Sequence, residues 1–151
     1  MRWIALLVLP ALAPAATQKT LTVNGETVTV VRDGYGVPHI FAPSEYALYY
    51  GNGYAVAEDR LWQMERYRRD ATGRLAEIEG KSALERDREI RRRMYPRQQV
   101  ERQFEAADAV VKSSFQAYAD GVNARISEGR LPAEFAKRGL TAEPWTVLDS
   151  L

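Results

Sequence analysis

The chain has 151 residues, 46% hydrophobic and 27% charged, which fits one ordinary globular domain and excludes collagen-like, low-complexity and polytopic membrane classes. With no cysteine and one histidine, disulfides, thiolate metal sites, a cysteine nucleophile and a two-histidine zinc site are excluded; a Ser-His-Asp triad would need His39. The net charge of +1 includes Arg2; without it 20 basic residues face 20 acidic ones, a balance with no overall attraction for nucleic acid.

Met1-Arg2 is followed by the apolar run Trp3 to Leu12 and by Ala13-Pro14-Ala15, a small-residue A-x-A site. That order predicts a secretory signal peptide over residues 1–15, cut after Ala15 or Ala16, and a periplasmic or secreted location. The run is about half of the ~20 apolar residues a bilayer span needs. Once the leader is removed, no membrane span is expected.

The mature segment opens with Thr/Val alternation interrupted by Asn24-Gly25, the pair suited to the positive φ angles of a two-residue hairpin. A hairpin of Thr20 to Val23 with Glu26 to Arg32 is predicted. The turn Asp33-Gly34-Tyr35-Gly36 leads to a third strand, Val37 to Phe41, where Pro38 requires an edge or a strand start. These strands form a small meander.

At Ser44 the period becomes helical, with Ser44 as N-cap, Glu45 in the first turn and an i,i+4 pair Glu65-Arg69. Gly51 and Gly53 weaken such a helix by about 1 kcal/mol each relative to Ala, so their expected use is close approach of another backbone. Thr72-Gly73 ends or kinks the helix. Leu75 and Ile78 mark a further turn stopping at Gly80, and Glu85 to Arg93 reads as a solvated helix. One long helix is predicted from Arg97 to Ser127, on apolar positions from Val100 through Ile126. The remainder, Leu131 to Leu151, reads as loop without a closing element. No internal repeat is present.

Several groups could carry chemistry, and each has a plainer reading. Arg91-Arg92-Arg93 with Arg97 could bind phosphate, but Glu85, Asp87 and Glu89 interleave with them, which predicts an ion-paired, solvated face. His39 could be a base or ligand; beside Pro38 and away from any serine pattern it reads as a hydrogen-bonded structural side chain. Glu58 and Asp59 are adjacent on a helix, about 100° apart, and are not expected to converge on one metal or bond. Pairing with Arg60, Arg66 or a neighbouring helix is expected instead. Tyr54, Trp62, Met64 and Tyr67 read as core packing at helical spacing. No G-x-S-x-G, Walker loop, H-E-x-x-H or EF-hand pattern occurs.

Taken in order, VRDGYGVPHIFA (Val31 to Ala42), GNGYAVAEDRLWQMERYRR (Gly51 to Arg69), GRLAEIEGK (Gly73 to Lys81), DREIRRR (Asp87 to Arg93), YADGVNARI (Tyr118 to Ile126) and LPAEF followed by PW and D (Leu131 to Asp149) resemble the penicillin acylase family. The resemblance places residues 16–151 in part of the α-subunit region of an exported precursor. It implies an α+β class and, for the whole enzyme, the αββα sandwich of N-terminal-nucleophile hydrolases. This segment would supply a small β meander followed mainly by helices. Such enzymes cut themselves into α and β chains, and the serine that begins the β chain attacks an amide carbonyl. Its own α-amine serves as base, with an unperturbed pKa near ~8.

None of Ser44, Ser82, Ser113, Ser114, Ser127 or Ser150 lies in a Gly-Ser-Asn-like junction. No catalytic, cofactor-binding or metal-ligating residue is therefore assigned to this chain, and calcium is implied only for the complete enzyme. What the resemblance carries over is scaffold: Gly51, Gly53, Glu58, Asp59, Arg60 and Gly73. The implied partners are the β chain or the rest of the precursor and a small N-acyl amide. Alternatives are part of an acyl-homoserine-lactone acylase, or a non-catalytic exported remnant. The face of Phe104, Val111, Phe115 and Tyr118 is expected to lack part of its partner surface.

Overall fold

The computed structural model describes residues 17–151; the predicted leader lies outside the described residues. A three-stranded antiparallel sheet of order β1-β2-β3 comes first, built from β1 (Thr17–Val23), β2 (Glu26–Arg32) and β3 (Pro38–Phe41). Asn24 (φ 51°) and Gly25 (φ 78°) form the tight turn, fixing Val23 opposite Glu26 and Thr17 opposite Arg32. β1 thus begins three residues before the predicted strand, because Thr17, Gln18 and Lys19 continue the ladder with Arg32, Val31 and Val30. In the next turn the Asp33 carboxylate accepts from the amides of Tyr35 and Val37 at 2.9 and 3.0 Å. β3 starts at Pro38, where the missing donor does least harm.

Val28 and Val30 point from the sheet onto α1 (Glu45–Ala71) and are fully buried. Ser44 caps α1 by accepting from the Ala47 amide at 3.2 Å while donating to Glu26 on β2, so one hydroxyl starts the helix and ties it to the sheet. α1 is kinked at Arg60 (φ −135°, ψ 18°) and ends at Thr72 and Gly73 (φ 63°). α2 (Ala76–Glu79), a 3-10 turn (Gly80–Ala83) and α3 (Leu84–Arg93) follow.

The predicted long helix from Arg97 to Ser127 is two helices, α4 (Arg97–Glu105) and α5 (Ala109–Ser127). Asp108 marks the break: its backbone turns extended (φ −67°, ψ 165°) and its side chain accepts from the Val111 amide at 2.9 Å, starting α5 afresh. The apolar period survives because Phe104 packs edge-on against Phe115, ring centroids 6.2 Å apart. The expected loop from Leu131 is also corrected. It contains α6 (Ala133–Lys137) and closes in a 3-10 turn (Val147–Ser150), where Thr146 and Asp149 form a capping box.

The core lies between α1 and α5. Ala57, Leu61 and Met64 meet Ala119 and Val122, and Phe135 and Trp145 seal the end. Gly53 lies against the α5 backbone, as the close-approach reading requires, whereas Gly51 lies against the side chains of Val28 and Ile40.

Candidate functional site

His39 projects from β3, half exposed, with Nε2 3.2 Å from an Asp33 oxygen. This contact holds the Asp33 carboxyl below its ordinary range, so the pair braces the turn between β2 and β3. Arg92 and Arg93 face Glu85 and Glu89 on the exposed side of α3, and Arg97 pairs with Glu101. Arg91 departs from this solvated pattern: its Nε donates to the Gly73 carbonyl at 2.9 Å and fastens α3 to the end of α1.

Glu58 and Asp59 converge on a cation of the sheet. Arg32 Nη2 lies 2.7 Å from Glu58 and 2.9 Å from Asp59, and its Nη1 reaches Asp59 at 3.1 Å. A guanidinium is a broad fork that can serve two carboxylates from different edges, and the helix departs from ideal dihedrals at the very next residue. The hydrogen-bonded partner of Glu58 and Asp59 is Arg32 on β2 rather than Arg60 or Arg66, which pair with Gln63 and Glu79.

Of the four aromatic and Met positions, Tyr54 and Met64 are buried, Trp62 packs edge-on against Phe135 at 5.2 Å, and Tyr67 is exposed. The Tyr54 hydroxyl donates to Glu128 at 2.6 Å and meets Lys19, which itself bonds Glu128 at 2.7 Å.

Three charged side chains of α1 are buried together. Glu65 receives both Arg68 and Arg69 on its two oxygens, and all three side chains are nearly inaccessible. Arg68 then crosses to the C-terminal segment. It donates to the Pro144 carbonyl at 3.1 Å, lies 5.2 Å from the Trp145 ring centroid and 3.6 Å from Asp149. Asn123 completes the attachment through paired bonds with the Trp145 backbone, 2.8 and 2.7 Å. Sequence patterning missed this tie because its partners are 76 and 22 residues apart. Asp87 was missed as well: inside a charged run, it turns inward and accepts from the amides of Leu75 and Ala76, both at 2.8 Å.

Above this network, α1, α5 and the final turn enclose an open cleft of about 660 Å³ with Met64, Phe115, Tyr118 and Trp145 among its lining residues. Burial raises the Tyr118 phenol above its ordinary range. The serines here are occupied locally: Ser114 donates to the Val110 carbonyl at 2.9 Å, and Ser150 accepts from Trp145 Nε1 at 2.8 Å. Among the described residues no cluster of three or more His, Asp or Glu side chains is placed to hold a metal ion. No described helix is long and apolar enough to cross a membrane.

Residues 27–151 match the family model described as penicillin amidase. The chain belongs to the penicillin amidase family. It is 40% identical over 147 residues to penicillin G acylase of Escherichia coli, covering 93% of this chain and 16% of that protein. Penicillin acylase 2 proenzyme of a Pseudomonas species is 41% identical over 142 residues, covering 93% of this chain and 18% of the relative. An acyl-homoserine lactone acylase QuiP of Pseudomonas fluorescens is 36% identical over 141 residues, covering 92% and 17%. The solved thermostable penicillin G acylase of Alcaligenes faecalis superposes with a TM-score of 0.76 at 40% identity, covering 83% of this chain and 68% of that chain. The chain thus spans less than a fifth of the length of the curated relatives it matches.

Proposed function

We propose that residues 17–151 are the N-terminal scaffold of an exported amidohydrolase that cleaves linear amide bonds in small N-acyl compounds such as penicillin G. The observation that carries this reading is the continuous family match from residue 27 to residue 151, with 16–18% of each longer curated relative covered. The nucleophile belongs to a serine at the start of the β chain, outside this sequence. Its hydroxyl adds to the amide carbonyl as the chain's own α-amine takes the proton; the amine leaves with a proton, and water releases the acid from the acyl ester. The leader sends the precursor to the periplasm or medium, and calcium in the complete enzyme finds its ligands outside the described residues.

This chain's own residues do the work of shape. Arg32 with Glu58 and Asp59 locks the sheet to α1, and Arg68 locks the closing turn to the same helix. Phenylacetyl amide hydrolysis is the test. Residues 17–151 alone give no turnover and the processed full-length protein gives it; turnover by residues 17–151 alone overturns the placement of the nucleophile.

The 36% identity to an acyl-homoserine lactone acylase supports a second reading, with an N-acyl-homoserine lactone as substrate. The ratio of kcat/KM for an N-acyl-homoserine lactone over a phenylacetyl amide separates the two. Absence of both activities in the full-length protein favours a remnant with a structural role only.

A further inference from the structure

The joint between α3 and α4 combines exposed basic side chains with backbone that is already extended. Arg92 and Arg93 are 71% and 76% exposed, and Met94 and Tyr95 after them are 51% and 65% exposed. Pro96 sets the backbone. It has no N–H to offer the Arg92 carbonyl four residues back, so α3 stops at Arg93, and it biases Tyr95 away from helical dihedrals. Met94 (φ −78°, ψ 152°) and Pro96 (φ −56°, ψ 141°) are extended accordingly. The helix beyond is lightly held: α4 has no buried residue, and its Phe104 packs edge-on against Phe115 of α5.

We propose that the Arg93-Met94 bond is the point at which a trypsin-like endoprotease cuts the folded chain, and that the cut chain stays assembled. Such a protease takes its substrate as an extended strand, pairs with its backbone, and seats the cation before the cut in a pocket that carries a carboxylate. Arg93 meets that demand once the final turn of α3 unwinds, and helix ends open at little cost. Its ion pair with Glu89, at 3.0 Å, is exposed and holds it weakly. Water adds to the Arg93 carbonyl carbon as the C–N bond breaks, leaving a carboxylate on Arg93 and an amine on Met94. Other exposed cations are better held. The Arg130 carbonyl accepts from Arg125 while its guanidinium bonds Glu128, Arg138 lies over the Trp62 ring, and Arg88 is inside α3. The two sides of the cut are fastened independently. Upstream, Asp87 accepts from the amides of Leu75 and Ala76, and Arg91 donates to the Gly73 carbonyl. Downstream, Ala119 and Val122 of α5 pack in the core against Ala57 and Leu61 of α1.

The test is brief trypsin digestion of the full-length protein in native buffer, read by fragment mass and by size exclusion. Within residues 17–151 the first new N-terminus is expected at Met94, and the pieces are expected to elute together until denaturant is added. Subtilisin, whose broad specificity does not ask for arginine, separates the backbone from the side chain as the cause: its first cut in the same residues is expected between Arg92 and Arg97. In the double variant Arg92→Gln, Arg93→Gln the trypsin cut before Met94 is lost while the subtilisin cut remains. A first cut elsewhere within residues 17–151 by either protease overturns the proposal. So does a joint that resists both proteases in the native protein while the denatured protein is cut there, and so does separation of the pieces in native buffer.

Discussion

Gly53 and Gly121 are reciprocal across the crossing of α1 and α5. A Cβ on Gly53 would lie 2.1 Å from the Tyr118 carbonyl oxygen, and one on Gly121 would lie 1.9 Å from that of Tyr50. In an isolated helix Ala would be favoured over Gly by about 1 kcal/mol. Here the obstruction is backbone, which cannot swing aside, so Gly53→Ala and Gly121→Ala each destabilise, by about 2–3 kcal/mol. Thermal unfolding of the full-length variants measures this, with the double variant costing less than the sum because both force the same two helices apart.

Glu65 is the shared anion of two buried arginines. Replacing it with Gln removes the anion that both nearly inaccessible guanidiniums share and leaves Arg68 with Asp149 and Arg69 with Glu77, at a cost of about 3–5 kcal/mol. The exposed Glu143, 3.6 Å from Arg69, is the control: Glu143→Gln changes stability by less than about 0.5 kcal/mol. Denaturant unfolding of both variants decides between a charge that matters by burial and one that merely lies near.

Local chemistry made much of the fold readable. Asn24-Gly25 set the hairpin, Ser44 the start of α1 and Thr72-Gly73 its end, since each acts through backbone within a few residues. The single helix expected from Arg97 to Ser127 failed because apolar periodicity is preserved through the break, while the competing signal is one Asp108 side chain. The closing turn was hidden for a different reason: Trp145 is buried in the core against α1 and α5, and its segment is tied down by Arg68 and Asn123, far off in sequence. Arg32 likewise shows nothing locally of the two carboxylates it gathers. Family membership was legible because several blocks recur in order, whereas no single block carries chemistry.

Asp87 closes the first turn of α2 from another helix. Asp87→Ala strips both amide donors, of Leu75 and Ala76, of their acceptor and costs about 2–3 kcal/mol. Asp87→Asn keeps one carbonyl oxygen and falls between. Hydrogen exchange at the Leu75 and Ala76 amides accelerates in both variants, in the same order.

Burial and then its hydrogen bond to Asp120 push the Tyr46 phenol up to about 12. A group whose pKa is higher folded than unfolded contributes stability in full below the unfolded value, near 10, and loses it as pH rises towards 12. Stability of the full-length protein should therefore fall between about pH 10 and 12, with Tyr46→Phe flattening that part of the profile. Ultraviolet titration of phenolate with and without Tyr46 follows the same group directly.

The central claim is that the reacting atom belongs to polypeptide beyond these residues. Acyl trapping measures it: the processed full-length protein is quenched during turnover of an isotopically labelled phenylacetyl ester, digested and mapped by mass spectrometry. The account predicts the label on the serine that begins the β chain and none on residues 17–151. A label on any side chain from Thr17 to Leu151 contradicts it.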